Sequence, residues 1–213
     1  ISIYHSVKGE YALEEHYLQR AGLISRVQKD KQTEIEIVQR LYQNWVKDPS
    51  QSQNMSKRIK DYLKEAEDTG DKASSMSLLN TLGTSLLYEQ KYQEAIDLLL
   101  EVIQVPEQES QLFREDRLAA HSNLGQAYRY LMNYPQALEH LLQAYQGFRE
   151  MKASLNLETV SFNIGEVYMT VSRPDLAEPF LSESLQISQS LKNERNAHQA
   201  MHVLQQARNM LGY

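Results

Sequence analysis

Asn123-Leu124-Gly125-Gln126-Ala127-Tyr128, followed by Tyr134-Pro135-Gln136-Ala137, places a glycine and an alanine twelve positions apart in two stretches of helical apolar spacing. The same pair stands upstream as Leu82-Gly83 with Ala95 and downstream as Ile164-Gly165 with Ala177. The glycines lie 42 and 40 residues apart, a period that belongs to stacked helical hairpins. A glycine inside a helix costs about 1 kcal/mol relative to alanine, so its recurrence needs an offset. Close packing supplies one: the second helix of each hairpin, presenting Ala95, Ala137 or Ala177, is expected to approach where a larger side chain would clash.

Working outward, Leu79, Leu82, Leu86 and Leu87 set a first helix over 76–88, and Ala95, Ile96, Leu99, Val102 and Ile103 a second over 92–105, with a turn at Glu89-Gln90-Lys91. The next hairpin pairs 118–131 with 134–151 around Met132-Asn133. The third pairs 158–171 with 174–191 around Ser172-Arg173, and Pro174 suits a first helical turn, where a missing N–H costs nothing. The expected organisation is one array over residues 1–213. It comprises a partial repeat at 1–30, a degenerate repeat at 33–70, repeats at 76–112, 118–152 and 158–192, and a capping helix at 195–213. The partial repeat rests on Gly9-Glu10-Tyr11, Leu18 and Ala21, with Glu14 where alanine is expected. The degenerate one sets Val38, Leu41, Tyr42 and Trp45 against Ile59, Leu63 and Ala66 across a loop at 47–54, Tyr42 replacing the glycine. Ala197, Ala200, Met201, Leu204, Ala207 and Leu211 give the cap one apolar stripe, the usual device for closing an array. A chain opening on Ile1 without a leader reads as a piece of a longer protein, and the cap as a true C-terminal end.

These units resemble tetratricopeptide repeats. The matching residues are Leu79, Leu82, Gly83, Tyr92, Ala95 and Leu99; then Leu124, Gly125, Tyr128, Tyr134, Ala137, Leu141 and Ala144; then Ile164, Gly165, Tyr168, Ala177 and Leu181. Against the usual repeat of about 34 residues the longer period implies longer helices. Such repeats are similar to those of bacterial peptide-sensing regulators, kinesin light chains and polarity adaptors, and Ala177-Glu178-Pro179-Phe180-Leu181 resembles the kinesin-light-chain variety. The resemblance implies an all-α, right-handed superhelical solenoid of antiparallel hairpins whose first helices line a concave groove. It places Asn80, Thr84, Tyr88, Asn123, Gln126, Arg129, Tyr130, Phe162, Asn163 and Glu166 at that groove. Asparagines at equivalent positions can hold the main chain of an extended peptide, because an amide both donates and accepts. Ala119 and Thr159 stand where a clamp for a peptide's terminal carboxylate would need basic residues, so a chaperone-tail site is not expected.

Composition narrows the function further. There are 22 basic and 28 acidic residues, a net charge of −6, and no clustered basic face, which argues against nucleic acid. Lys57-Arg58-Ile59-Lys60 is too short to count as one. The apolar stretch at 95–105 carries Asp97 and Glu101 and falls short of the roughly 20 residues a membrane span needs. With no cysteine there are no disulfides and no thiolate metal sites, and the expected compartment is the cytoplasm, the periplasm being equally compatible with the cysteine count.

No catalytic constellation emerges. His198 and His202 sit four apart on one helical face, yet Gln199 follows His198 where a His-Glu-x-x-His site needs glutamate, and no third ligand is at hand. Ser184, Ser188 and Ser190 lack a nucleophile elbow, and there is no glycine-rich phosphate loop. The expectation is a non-catalytic scaffold without cofactor or metal, binding a protein or peptide in its groove and able to pair with a second copy through an array end. The alternative is a sensory domain of a larger bacterial signalling protein, such as a histidine kinase, diguanylate cyclase or transcription regulator, passing ligand binding to an output domain.

Overall fold

The computed structural model describes residues 55–68, 70–104 and 110–212, together with Thr33, Ile37 and Arg40, each of which is helical. The partial repeat at 1–30, the loop at 47–54 and Val38, Leu41, Tyr42 and Trp45 lie outside the described residues. Among the described residues every regular element is an α-helix: α1 (Met55–Asp68), α2 (Lys72–Tyr88), α3 (Tyr92–Gln104), α4 (Ser110–Tyr130), α5 (Tyr134–Met151), α6 (Ser154–Thr170), α7 (Pro174–Ser190) and α8 (Glu194–Leu211). The all-α expectation is met. The chain forms two compact units, residues 1–98 and 99–213.

In the first unit α1 packs on α2, burying Ile59, Leu63 and Ala66 on one side and Met76, Leu78, Leu82 and Leu86 on the other. Asp71 starts α2 by accepting from the Ser74 amide at 3.2 Å, a side-chain cap for an otherwise unsatisfied donor. At the other end of α2, Ser56 reaches across from α1 to Ser85, 3.1 Å away, and donates to Glu89. Lys91 closes on the same carboxylate at 2.7 Å. Burial raises the Glu89 pKa, but the hydrogen bonds from Lys91 and Ser56 outweigh it and hold the carboxyl below its ordinary value.

The second unit contains two full hairpins, α4–α5 and α6–α7, with α8 packed on α7. Its cores follow the sequence period. Ala137, Leu141, Ala144 and Phe148 of α5 meet Val160, Ile164 and Val167 of α6. Ala177 and Leu181 of α7 meet Leu204 and Ala207 of α8. Gly125 and Gly165 do mark close approach, and the group that fills the space is a leucine one turn beyond Ala137 and Ala177. A Cβ on Gly125 would lie 2.8 Å from Leu141 Cδ2 and 3.1 Å from the Ala137 carbonyl; one on Gly165 would lie 2.5 Å from Leu181 Cγ. Gly147, which the repeat pattern does not single out, receives Leu118 in the same way.

The hairpin turns share a backbone solution. Gln90, Met132, Lys152, Ser172 and Lys192 all have φ between 56° and 60°, the left-handed conformation that normally favours glycine. Each donates to the carbonyl three residues back, and the next residue to the carbonyl five back, as in Met132→Arg129 at 2.9 Å and Asn133→Tyr128 at 2.9 Å. The orphan carbonyls of the helix end are thereby paired. α4 begins at Ser110, eight residues before the start read from apolar spacing, because Arg114-Glu115-Asp116-Arg117 carries no apolar period. That polar turn is held from outside instead, by an Arg114–Glu150 ion pair and by Asn156 donating to Glu115 at 3.4 Å.

Candidate functional site

The helix register decides which side chains share a face. Leu124, Ile164 and Leu204 are buried at equivalent positions of α4, α6 and α8, each 40 residues from the next. The 3.6-residue period then aligns Asn123 with Asn163 and Val203, Gln126 with Glu166 and Gln206, and Tyr130 with Thr170 and Met210. α6 touches α4 on one side and α8 on the other, so these rows run across three neighbouring first helices. Val203, Gln206 and Met210 were missed in the sequence because α8 reads there as a cap. The overlooked signal was the recurrence of Leu204 at the 40-residue step.

One ion pair ties the first helices together. Arg129 of α4 donates from Nη1 to Glu166 Oε2 of α6 at 2.7 Å, both side chains being half-buried. The guanidinium lies over the Tyr130 ring, 5.1 Å from its centroid. Its Nε is buried and has no acceptor. Asn163, one helical turn before Glu166, is 6% exposed, and its Nδ2 is likewise buried without an acceptor. A buried donor left without an acceptor costs about 1–3 kcal/mol.

The remaining predicted residues are placed as follows. Asn123 and Gln126 are half-buried on α4, and Tyr130 is exposed at its end. Phe162 is half-buried and packs on the Ala177, Leu181, Leu204 and Ala207 cluster, so its ring belongs in part to the α6–α7–α8 core. Asn80, Thr84 and Tyr88 are on α2 in the first unit. Asn80 is buried, Thr84 Oγ1 donates back to the Asn80 carbonyl at 2.9 Å, and Tyr88 is exposed.

Behind the α4 face sits a pair of imidazoles. His121 of α4 and His140 of α5 bring their Nδ1 atoms to 3.0 Å, one donating and the other accepting. His140 stacks on Tyr128 with ring planes 3° apart. Burial first, then the fields of His140 and Arg117, pushes the His121 pKa down to about 4. Burial also lowers His140, against a smaller opposing pull from Glu139. Both rings are therefore neutral at pH 7. Among the described residues no three His, Cys, Asp or Glu side chains converge as metal ligands, and His198 and His202 are both exposed on α8.

Residues 74–150 match the family model for the tetratricopeptide repeat. The helix pairing, the glycine contacts and this match agree. Residues 74–150 of this chain are tetratricopeptide repeats. Among solved structures, the array is similar to the apo form of RapI, at 14% identity over 93% of this chain and 83% of that one, with a TM-score of 0.68. It is similar to the nearly identical repeats of a putative kinesin light chain from Podospora anserina, at 19% identity over 88% and 87%, TM-score 0.63. It also resembles a signal transduction ATPase with a tetratricopeptide repeat sensor, PH0952 from Pyrococcus horikoshii, at 14% identity over 96% of this chain and 31% of that one, TM-score 0.67. No curated protein sequence matches the chain. At these identities the likeness is one of fold. The tetratricopeptide fold is that of a protein-interaction scaffold. Among the described residues no helix is long and apolar enough to cross a membrane.

Proposed function

We propose that this protein is a non-catalytic binding scaffold, and that the face of α4, α6 and α8 holds an extended segment of a partner protein. The observation that carries the reading is Asn163: a nearly buried amide whose Nδ2 has no acceptor in the chain, on a face that also carries other amides, the Arg129–Glu166 pair and aromatic or apolar tips. A main-chain carbonyl of the partner supplies that acceptor, and Asn123 in the equivalent row repeats the contact one helix away. Tyr130 and Met210 offer apolar surface to its side chains. This reading makes the occupant a protein segment rather than a nucleic acid, in keeping with the net charge of −6.

The test compares the wild-type chain with the Asn123→Ala, Asn163→Ala variant in a capture experiment from lysate, followed by titration of the captured partner. Helicity and melting are expected to be nearly unchanged, and partner binding to be lost. A variant that melts instead makes the amides structural. A partner retained by both proteins places the interface on another face.

The likeness to the sensor-bearing signal transduction ATPase favours a second reading, in which the same face belongs to the sensory part of a longer signalling protein. That reading predicts that occupancy alters the spacing of α4, α6 and α8, seen as distance changes between spin labels on exposed positions of α4 and α8.

A further inference from the structure

Two buried donors lie on α4 and α6, whereas Glu158 Oε2, an acceptor on α6, belongs to a carboxylate that Ser188 of α7 binds. Arg129 Nε and Asn163 Nδ2 are both donors, and neither has an acceptor. Glu166 takes only Nη1 of the guanidinium. A guanidinium presents its donors as planar forks, and a fork edge matches the two oxygens of a carboxylate. In the three register rows Asn123, Gln126, Tyr130, Thr170, Val203, Gln206 and Met210 are uncharged. Arg129, next to Tyr130 on α4, is a cation adjoining these rows, paired with Glu166 through Nη1 and lying over the Tyr130 ring.

Resting on the groove reading above, we propose that the partner segment is acidic, seating one Asp or Glu side chain on the Nε edge of Arg129 and a neighbouring main-chain carbonyl on Asn163. Glu166 is a positioning residue in this arrangement. It holds the guanidinium through Nη1 while repelling the incoming carboxylate, so it sets geometry at some expense of affinity. The second, independent observation is Asn163: its unpartnered amide is nine-tenths buried and lies one turn from Glu166 on the same helix face.

The experiment selects a random dodecapeptide display library on the folded chain and measures the enriched peptides by titration. The expected consensus carries Asp or Glu at a recurrent position. Arg129→Lys, which keeps the charge and loses the fork, then weakens binding by about tenfold or more, as does Asp→Asn or Glu→Gln in the peptide. Glu166→Gln keeps an acceptor for Nη1 and removes the competing charge, and it tightens binding. Circular dichroism of each variant confirms an intact array. A consensus without acid that is still lost on Asn163→Ala overturns the acidic partner and leaves the groove reading standing. A basic consensus lost on Glu166→Gln overturns it as well. Peptides indifferent to Asn163→Ala and Arg129→Lys alike, or a library yielding no binder, overturn both.

Discussion

At Gly125 two effects of opposite sign meet, and their balance tests the packing. Alanine there gains about 1 kcal/mol of helix propensity. Its Cβ would also press on Leu141, which is fully buried, and come within 3.1 Å of the Ala137 carbonyl. Overpacking of this kind costs about 1–3 kcal/mol. Gly125→Ala is expected to lower the thermal midpoint by circular dichroism, and a raised midpoint would show that Leu141 can give way. The imidazole pair makes a second prediction at this scale. Both rings bind a proton less readily in the folded chain than in the unfolded one, where the ordinary value is 6.5. Stability contributed by the pair is complete above about pH 6.5 and declines as pH falls toward the folded His121 value of about 4. The following repeat shows how to remove it. There Ser161 stands in the place of His121 and donates to Glu183 at 2.9 Å, and Phe180 stands in the place of His140, stacked on Tyr168. The His121→Ser, His140→Phe variant should therefore lose less melting temperature than wild type between pH 7 and pH 4.5. Equal losses would mean the acid sensitivity arises elsewhere.

Helix ends show why some elements could be read from residues and others could not. Pro174 and the three glycine-to-alanine steps located hairpins because each residue type has one dominant mechanical consequence. The polar start of α4 escaped for the opposite reason: Arg114 and Glu115 are held by partners on α5 and α6 that no local period reveals. The Arg129–Glu166 pair spans 37 residues and was invisible on the same grounds, although each residue had been assigned to the groove separately. The left-handed turn positions were also hidden, since Gln90, Met132, Lys152, Ser172 and Lys192 are not glycine. An L side chain in that conformation costs about 1–2 kcal/mol, part of which glycine gives back through its freer unfolded chain. Met132→Gly and Ser172→Gly should each stabilise the array by about 0.5–1 kcal/mol in urea unfolding. The Met132 side chain is 74% exposed, so little packing is lost. An unchanged midpoint for both would mean that these turns carry no strain.

Across the whole chain, a repeat array distributes its stability among neighbouring contacts rather than around one centre. Gln205 shows the principle at α8. It occupies the register of Gly125 and Gly165, is exposed, and leaves that helix a polar outer face where the earlier first helices receive a leucine. The two compact units make the same principle measurable. Leu181 is fully buried and fills the space at Gly165, with Leu204 and Ala207 of α8 against it. Leu181→Ala removes that plug and should cost about 2–5 kcal/mol, as large-to-small changes in closed sites do. Because α7 is packed between α6 and α8, the loss is expected to fall on those three helices. Hydrogen exchange read by mass spectrometry should show faster exchange in peptides from 154–211 and unchanged protection in α1 and α2. Uniform acceleration in both units would mean that the array unfolds as one cooperative body, and the local picture of its stability would have to be given up.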